Sequence, residues 1–320
     1  PLIYKAISSW FVGVEKIKDR LIAANEEIHW MPRHLKHGRF GKWLEGARDW
    51  AISRNRYWGT PIPLWRADDG EIHVIGSIQE LEELSGAEIT DLHRHYIDDI
   101  TFTKNGKVFH RITEVFDCWF ESGSMPYAQN HYPFENKDLT DAHFPADFIA
   151  EGLDQTRGWF YTLTVLSAAL FDKPAFKNVV VNGILLAEDG TKMSKRLKNY
   201  PEPTAVIDKY GSDAVRLYLL HSPAVRADDL CFAERGVELA LRQILIPLWS
   251  SYSFFITYAR IYDWKAEDMP KKPSAVIDTW MLSRLHKLIH DVEQGMDDYD
   301  LSRAVEPFVD FIDQMTNWYI

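Results

Sequence analysis

Cysteine is nearly absent: the 320 residues hold 2, Cys118 and Cys231, far apart and with no other ligand-type spacing around them. That excludes a disulfide framework and a Cys-x-x-Cys zinc signature, and makes a reducing compartment such as the cytoplasm the default expectation. Both thiols are expected to be ordinary buried ones. Long apolar runs are missing too, since none approaches the roughly 20 residues of a membrane span. The opening residues do not read as a signal peptide, so no membrane partner is expected. Positive charge is in the minority, with Lys+Arg 36 against Asp+Glu 47 and a net charge of −11. Overall charge therefore argues against a polyanion binder. There is no Walker A loop, because Gly183 and Gly190 are spaced wrongly for it and Met193 and Ser194, not a direct Ser/Thr, follow Lys192. Internal repeats and low-complexity tracts are absent.

What is present is ordinary in bulk and unusual in detail. Hydrophobic residues make up 46% and charged ones 26%, the composition of a soluble globular protein long enough for two or three domains. The 12 tryptophans are many, and some of them should line a pocket or an interface. Two basic clusters stand out against the acidic background. One is Arg33-His34-Leu35-Lys36-His37-Gly38-Arg39; the other runs from Lys192 to Lys198 with four cations in seven residues. Most such runs are solvated faces, so composition alone assigns neither a function.

Val14, Ile17, Leu21 and Ile22 recur on one face and predict a helix over 14–29. Residues 39–65 are rich in Gly, Trp and Arg and end in Thr60-Pro61-Ile62-Pro63, which forbids a regular helix there. Residues 66–112 read as a small α+β module. A turn at Asp68-Asp69-Gly70 opens it, Ser77 with Glu80 three residues on has the capping-box spacing, and Lys104-Asn105-Gly106-Lys107 predicts a hairpin. From Glu114 strand and helix alternate. A short strand at Asp147-Phe148-Ile149-Ala150 stops at Glu151-Gly152, a helix runs from about Asp154 to Leu170, and a strand follows at Val179-Val180-Val181. That order implies a parallel βαβ unit whose ligand end holds Glu151 to Gln155 and Asn182 to Ile184. Tyr210-Gly211 ends a helix and Ser212 should cap the next. Three amphipathic stretches, about 234–262 with a kink at Pro247, 276–296 and 300–320, predict the core stripes of a helical bundle.

The sharpest chemistry lies in Asp189-Gly190-Thr191-Lys192-Met193-Ser194-Lys195-Arg196-Leu197-Lys198-Asn199. Two lysines three apart on a glycine-introduced loop can both reach one polyphosphate, and a compact ammonium on a flexible stem suits charge that develops and departs. Lys-Met-Ser-Lys-Arg resembles the Lys-Met-Ser-Lys-Ser signature of class I aminoacyl-tRNA synthetases, with Arg196 where Ser is commoner. Further blocks extend the resemblance in order along the chain. Trp50 to Trp65 is similar to the return from the editing insertion in isoleucyl and leucyl enzymes. Asp117 to Ser124 and Glu151 to Phe160 resemble the isoleucyl branch in particular, and Asn317-Trp318-Tyr319-Ile320 resembles the opening of its anticodon-region helix motif. Asn182-Gly183 in place of His-Gly, together with Arg196, is similar to the eukaryotic-like subtype, also found in some bacteria.

The resemblance implies an α/β fold. It would be the carboxyl-proximal half of a class I synthetase Rossmann-like catalytic domain with a small α+β insertion, followed by an all-α helical bundle. The implied division is 1–65 for the return from the editing insertion, 66–112 for the connective insertion and 113–200 for the catalytic half with its signature loop. Residues 201–233 form a stem-contact linker and 234–320 the start of the anticodon-binding domain. The implied reaction is ATP-dependent activation of isoleucine and its transfer to tRNA-Ile, with Mg2+ accompanying ATP and no zinc site in this stretch. Catalysis falls to Lys192, Ser194 and Lys195. ATP and adenylate contacts fall to Glu151, Gly152, Asp154, Gln155, Asn182, Gly183, Ile184 and Lys195. The amino-acid pocket falls to Trp119, Trp159 and Gln155, since two indoles can pinch a branched aliphatic group, and Gly183 would let backbone approach adenine closely. His-Ile-Gly-His, the family's other ATP motif, does not occur in the chain. It is expected upstream of Pro1 with most of the editing domain, so these residues alone are expected to be inactive. Leucyl or valyl relatives, or a non-catalytic tRNA- or nucleotide-binding module, are the alternatives.

Overall fold

A computed structural model describes residues 6–265 and 275–320. The chain packs as two units that interleave along the sequence. One comprises Pro1–Ile28, Leu35–Asp147 and Asp154–Lys177; the other comprises His29–His34, Phe148–Leu153 and Asn178–Ile320.

In the first unit a 3-10 turn at Val14–Ile17 leads into the helix Lys18–Glu26, which buries Leu21 and Ala24. This helix is shorter than the predicted 14–29. After it, burial alternates residue by residue, with Ile28 and Trp30 inside and His29 half-exposed, and the chain passes into the second unit as the strand His29–Met31. That two-residue period is the mark of a strand. A second helical run was not foreseen: a wide turn at Lys36–Phe40 continues into the helix Gly41–Glu45 and buries Phe40 and Leu44, four apart.

The inserted module is where local signals act most directly. Leu64–Ala67, Ile72–Val74, Thr101–Lys104 and Lys107–Arg111 form a four-stranded sheet, with every strand pair antiparallel. Asn105 and Gly106 sit at φ 53° and 75°, the two left-handed residues that a tight hairpin demands. Ser77 caps the helix Ile78–Ser85, its hydroxyl accepting the Glu80 N–H at 3.0 Å. The Glu80 carboxylate takes the Gly76 N–H at 2.7 Å rather than that of Ser77, so the capping box is displaced by one residue. Trp65, Ala67, Ile75, Leu81, Phe102 and Phe109 close a separate core over the sheet.

The expected helix over 154–170 is divided. Leu153–Arg157 is a 3-10 turn, Gly158 interrupts at φ −136° and ψ −116°, and the helix proper is Trp159–Phe171. Every residue from Phe160 to Ala168 is buried, several of them against the helix Cys118–Ala128.

In the second unit the strands Ala146–Gly152, Phe176–Asn182 and His29–Met31 lie in that order, with Asn178, Val179 and Val180 pairing in parallel with His29, Trp30 and Met31. Short strands Leu185–Leu186 and Leu230–Cys231 pair in parallel farther on. The helices Pro203–Tyr210 and Ser212–His221 meet at Gly211, at φ 85°. Ser212 is the first helical residue and makes no side-chain cap, contrary to expectation. The run 234–261 is continuously helical, with its regular winding interrupted by a wide turn at Leu241–Leu245 just before Pro247, where a kink was expected. Proline has no N–H to close a regular turn, which accounts for the widened turn there.

The stripes are core only in part. Ala304, Val305, Phe311 and Ile312 are buried, and Ile244, Met281, Leu288, Phe311 and Ile312 cluster together. The helix Ile246–Ile261, however, buries no residue. It opens onto a groove of about 1070 Å³ lined by Leu248, Tyr252, Phe255 and Tyr258 with Met281 and Leu285, and no described element covers it. The stretch Glu234–Ile261 is also long and apolar enough to cross a membrane by length and composition, against the expectation that none would be. Tyr, Ser and Trp interrupt its aliphatic runs without adding charge, so its average stays high. Cys118 and Cys231 are both exposed, not buried, because one sits at a helix start and the other on a two-residue strand.

Candidate functional site

Within the first unit the structure gathers Trp119, Gln155 and Trp159. The helix Cys118–Ala128 begins at the buried Asp117, whose one carboxylate oxygen accepts the Trp119 N–H at 3.2 Å while the other takes Arg54 at 2.5 Å. A buried carboxylate needs such a partner, so this ion pair fixes where the helix starts and hence where Trp119 stands. Trp119 keeps 40% of its surface exposed.

Trp159 is tied in by its indole N–H, which donates to the Ser122 carbonyl at 3.0 Å, and by its backbone N–H, which donates to Gln155 Oε1 at 2.9 Å. Gln155 Nε2 in turn donates to Asp154 at 3.0 Å. Between them Gly158 leaves no room. A Cβ there would lie 2.7 Å from Gln155 Oε1 and 3.3 Å from the edge of Trp119. The result is an aromatic and amide wall with one half-exposed indole and one anchored indole.

Within the second unit, Glu151 and Gly152 end the strand Ala146–Gly152, and the Glu151 side chain is exposed. Asn182 ends the strand Phe176–Asn182. Gly183 follows, donating to the Ala224 carbonyl at 2.7 Å, and a Cβ on it would fall 1.8 Å from the Asp228 carbonyl oxygen. The close approach that requires a glycine here is thus to the chain's own backbone. Ile184 is held by the Asp229 carboxylate at 3.3 Å on its N–H and by the Leu230 N–H on its carbonyl at 2.9 Å.

The signature loop follows. Lys192 makes a single bridge to Leu186, after which the chain has no regular structure until Pro203. Side chains supply the order instead. Asp189 accepts both the N–H and the hydroxyl of Thr191, at 2.9 and 2.7 Å, and these bonds hold its carboxyl below the usual range. Asn199 accepts the Ser194 N–H at 2.9 Å and donates to Thr191 Oγ1 at 3.0 Å and to the Lys192 carbonyl at 3.2 Å. The Ser194 carbonyl takes the N–H groups of Leu197 and Lys198. Ser194 is thus bonded within the loop through both its N–H and its carbonyl. Lys192 and Lys195 are exposed, and neither ammonium has an acidic partner among the described residues.

The other basic cluster is largely spent within the protein. Lys36 and His37 lie 3.5 and 3.3 Å from the Glu26 carboxylate, and Arg39 donates to Thr156 Oγ1 at 3.0 Å. Unpaired cations on a held but uncovered loop are what a polyanion needs; paired ones are not. In the sequence Asp189, Thr191 and Asn199 stand only as flanks of the lysines. The signal that marks them is the Asp-Gly pair and the Asn eight residues after Thr191, side chains that bond nearby backbone.

Residues 2–230 match the family of "tRNA synthetases class I (I, L, M and V)", and residues 278–320 match the "Anticodon-binding domain of tRNA ligase". Over the whole chain it is 74% identical to the isoleucine--tRNA ligase of Protochlamydia amoebophila, 66% to that of Chlamydia muridarum and 65% to that of Chlamydia trachomatis. The chain spans 31% of the length of each of these relatives. Two solved structures share the fold. The LeuRS of Agrobacterium radiobacter, in a ternary complex with tRNA and LeuAMS, covers 87% of the chain and 39% of its own, at TM-score 0.63 and 19% identity. The Mycobacterium tuberculosis methionyl-tRNA synthetase in complex with methionyl-adenylate covers 97% and 52%, at TM-score 0.67 and 17% identity.

Proposed function

The chain belongs to the class I tRNA synthetases of the isoleucine, leucine, methionine and valine group, and from that premise we propose that its parent protein is an isoleucine-tRNA ligase. On this reading the isoleucine carboxylate attacks the α-phosphorus of ATP. The bond to the β-phosphate oxygen breaks, pyrophosphate leaves, and a terminal ribose hydroxyl of tRNA-Ile then takes the isoleucyl group from the adenylate. The support is the identity of the chain along its full length to relatives that carry that name. The observation that carries it is the hydrogen-bonded loop with Lys192 and Lys195 exposed and without an acidic partner among the described residues.

Lys195 stabilises the phosphates as pyrophosphate departs, and Lys192 assists. This is charge stabilisation without a covalent enzyme intermediate. Glu151, Gly152, Asn182, Gly183 and Ile184 offer strand-end carboxylate and backbone groups to the nucleotide. Asp154 and Gln155 offer polar groups to the adenylate, and Trp119 and Trp159 offer the isoleucine side chain its apolar wall. Magnesium arrives with ATP, held by phosphate and water oxygens. Among the described residues no cluster of three or more His, Cys, Asp or Glu side chains could hold an ion of its own. Two exposed thiols suit a reducing, cytoplasmic setting. The 320 residues contain no His-Ile-Gly-His, and on this reading they bind nucleotide without turning it over.

Amino-acid-dependent pyrophosphate exchange by the full-length protein tests the proposal. Isoleucine should support exchange far better than leucine or valine. Lys195→Ala should lower the rate about 100-fold or more with little change in isoleucine binding. Preference for leucine would move the protein to the leucyl branch, and near-parental exchange by Lys195→Ala would remove the lysine from the reaction.

A further inference from the structure

We infer that Asn199 is a positioning residue for the signature loop, setting the backbone from which Lys192 and Lys195 reach one polyphosphate; this rests on the synthetase reading of that loop. The loop has every reason to be loose. It carries four cations in seven residues, which repel one another, and it holds no strand or helix to order it. Ordering it costs backbone entropy that burial does not offset, since Lys192, Lys195, Arg196, Leu197 and Lys198 are all exposed.

Turn bonds close each end of the loop, at Ala187–Thr191 and Ser194–Lys198, and one amide ties the two ends together. Asn199 has one acceptor oxygen and two donor hydrogens, and all are used across the loop. Its oxygen takes the Ser194 N–H at 2.9 Å, and its nitrogen donates to Thr191 Oγ1 at 3.0 Å and to the Lys192 carbonyl at 3.2 Å. The Thr191 hydroxyl then donates onward to Asp189 at 2.7 Å, so amide, hydroxyl and carboxylate form one polarised chain. Lys198, at φ 50° in the left-handed region, turns the chain so that Asn199 faces back across the loop.

All of these bonds end on main chain or on Thr191. They fix the backbone of Lys192 and of Ser194, which precedes Lys195, while both ammonium groups stay free. Aspartate could not replace the amide. Its second oxygen would face the Lys192 carbonyl, and it would also face a Thr191 hydroxyl whose proton is already committed to Asp189. Asn199 thus acts through the lysines without touching phosphate.

The test uses the full-length protein and isoleucine-dependent pyrophosphate exchange, with Lys195→Ala, Asn199→Ala, Asn199→Asp and the double variant Lys195→Ala/Asn199→Ala. Asn199→Ala should lower kcat about 10- to 100-fold, the cost of a reacting group misplaced by about an ångström. The isoleucine KM and the melting temperature should stay at parental values. Asn199→Asp should do no better than Asn199→Ala. The double variant should lose less than the product of the two single losses, because Asn199→Ala acts in part through the Lys195 that is already gone.

Parental kcat in Asn199→Ala, beside a disabled Lys195→Ala, would overturn the positioning role. So would losses that multiply in the double variant. Normal exchange by Lys195→Ala would instead overturn the reading of the loop itself, and the inference with it. If Asn199→Ala melts early, Thr191→Val decides the matter, since it cuts one link of the chain. A smaller loss of kcat at parental stability supports positioning, and no loss of kcat refutes it.

Discussion

Around Trp159 the chain is held by packing and by bonds that end on a neighbouring helix, whereas the loop from Ala187 to Asn199 is held by short-range bonds within itself, from its own side chains and from turns of its main chain. The first region has a buried helix behind it, nine consecutive buried residues from Phe160 to Ala168, and an indole N–H anchored on Ser122. The second has one bridge, at Lys192, and a chain of hydrogen bonds through Asn199, Thr191 and Asp189. A wall that must present a fixed shape to an aliphatic side chain benefits from a rigid backing. A loop that must follow charge onto a departing group needs a defined backbone and mobile ends. The two regions meet these needs with different residues. Two glycines set a related contrast: Gly183, at the strand end before the loop, faces backbone, while Gly158, beside the wall, faces the movable end of a side chain.

Substitution at these glycines separates the two kinds of rigidity. The largest effect is expected at Gly183→Ala, where the new methyl would lie 1.8 Å from the Asp228 oxygen and 2.3 Å from its carbonyl carbon. Neither atom can move alone, so stability should fall by about 3 kcal/mol, the upper end of overpacking costs, as read from denaturant midpoints. A parental midpoint would mean that the 227–229 segment yields easily and that the contrast with Gly158 is false.

Gly158→Ala should be milder in stability and sharper in function. The methyl at 2.7 Å from Gln155 Oε1 can be relieved by rotating that amide, which breaks its bond to the Trp159 N–H and crowds Trp119. Isoleucine KM in the full-length protein should rise about tenfold, equivalent to about 1.4 kcal/mol, with kcat less affected. An unchanged KM would detach the wall from amino-acid binding.

The smallest effect lies outside both regions, in the inserted module. Ser77→Ala removes the hydroxyl that caps the helix Ile78–Ser85. It should cost about 1 kcal/mol in thermal unfolding and leave exchange kinetics as they were. A change in kinetics would show that the module is coupled to the reaction.

The module was the most legible part of the fold because its signals are local. Asn105-Gly106 supplies two left-handed residues in a row, and Ser77 sits three before Glu80, so neither depends on distant sequence. The wall was half legible. The tryptophans could be named from their blocks, but that Gly158 breaks the helix and that Ser122 anchors Trp159 follow from where another helix lies. The bundle was the least reliable part. Periodicity marked the apolar positions of 246–261 as a core stripe, yet none is buried, because periodicity says which face is apolar and not whether anything covers it.

By itself the sequence determined the family, through ordered blocks whose chance coincidence is negligible, and the elements whose turns and caps are built from adjacent residues. It also determined which cations were candidates for phosphate. Tertiary structure decided which of those cations are free: Glu26 and Thr156 engage Lys36, His37 and Arg39, while Lys192 and Lys195 keep theirs unpaired among the described residues. It also decided why Gly183 must be glycine and gave Asn199 its part in the loop. Arg39 beside Thr156 and Gly183 beside Asp228 are brought close by the fold from positions that sequence spacing does not connect. The Asn199 bonds are local, but which neighbours the amide meets depends on the left-handed turn at Lys198, a backbone conformation that spacing does not state.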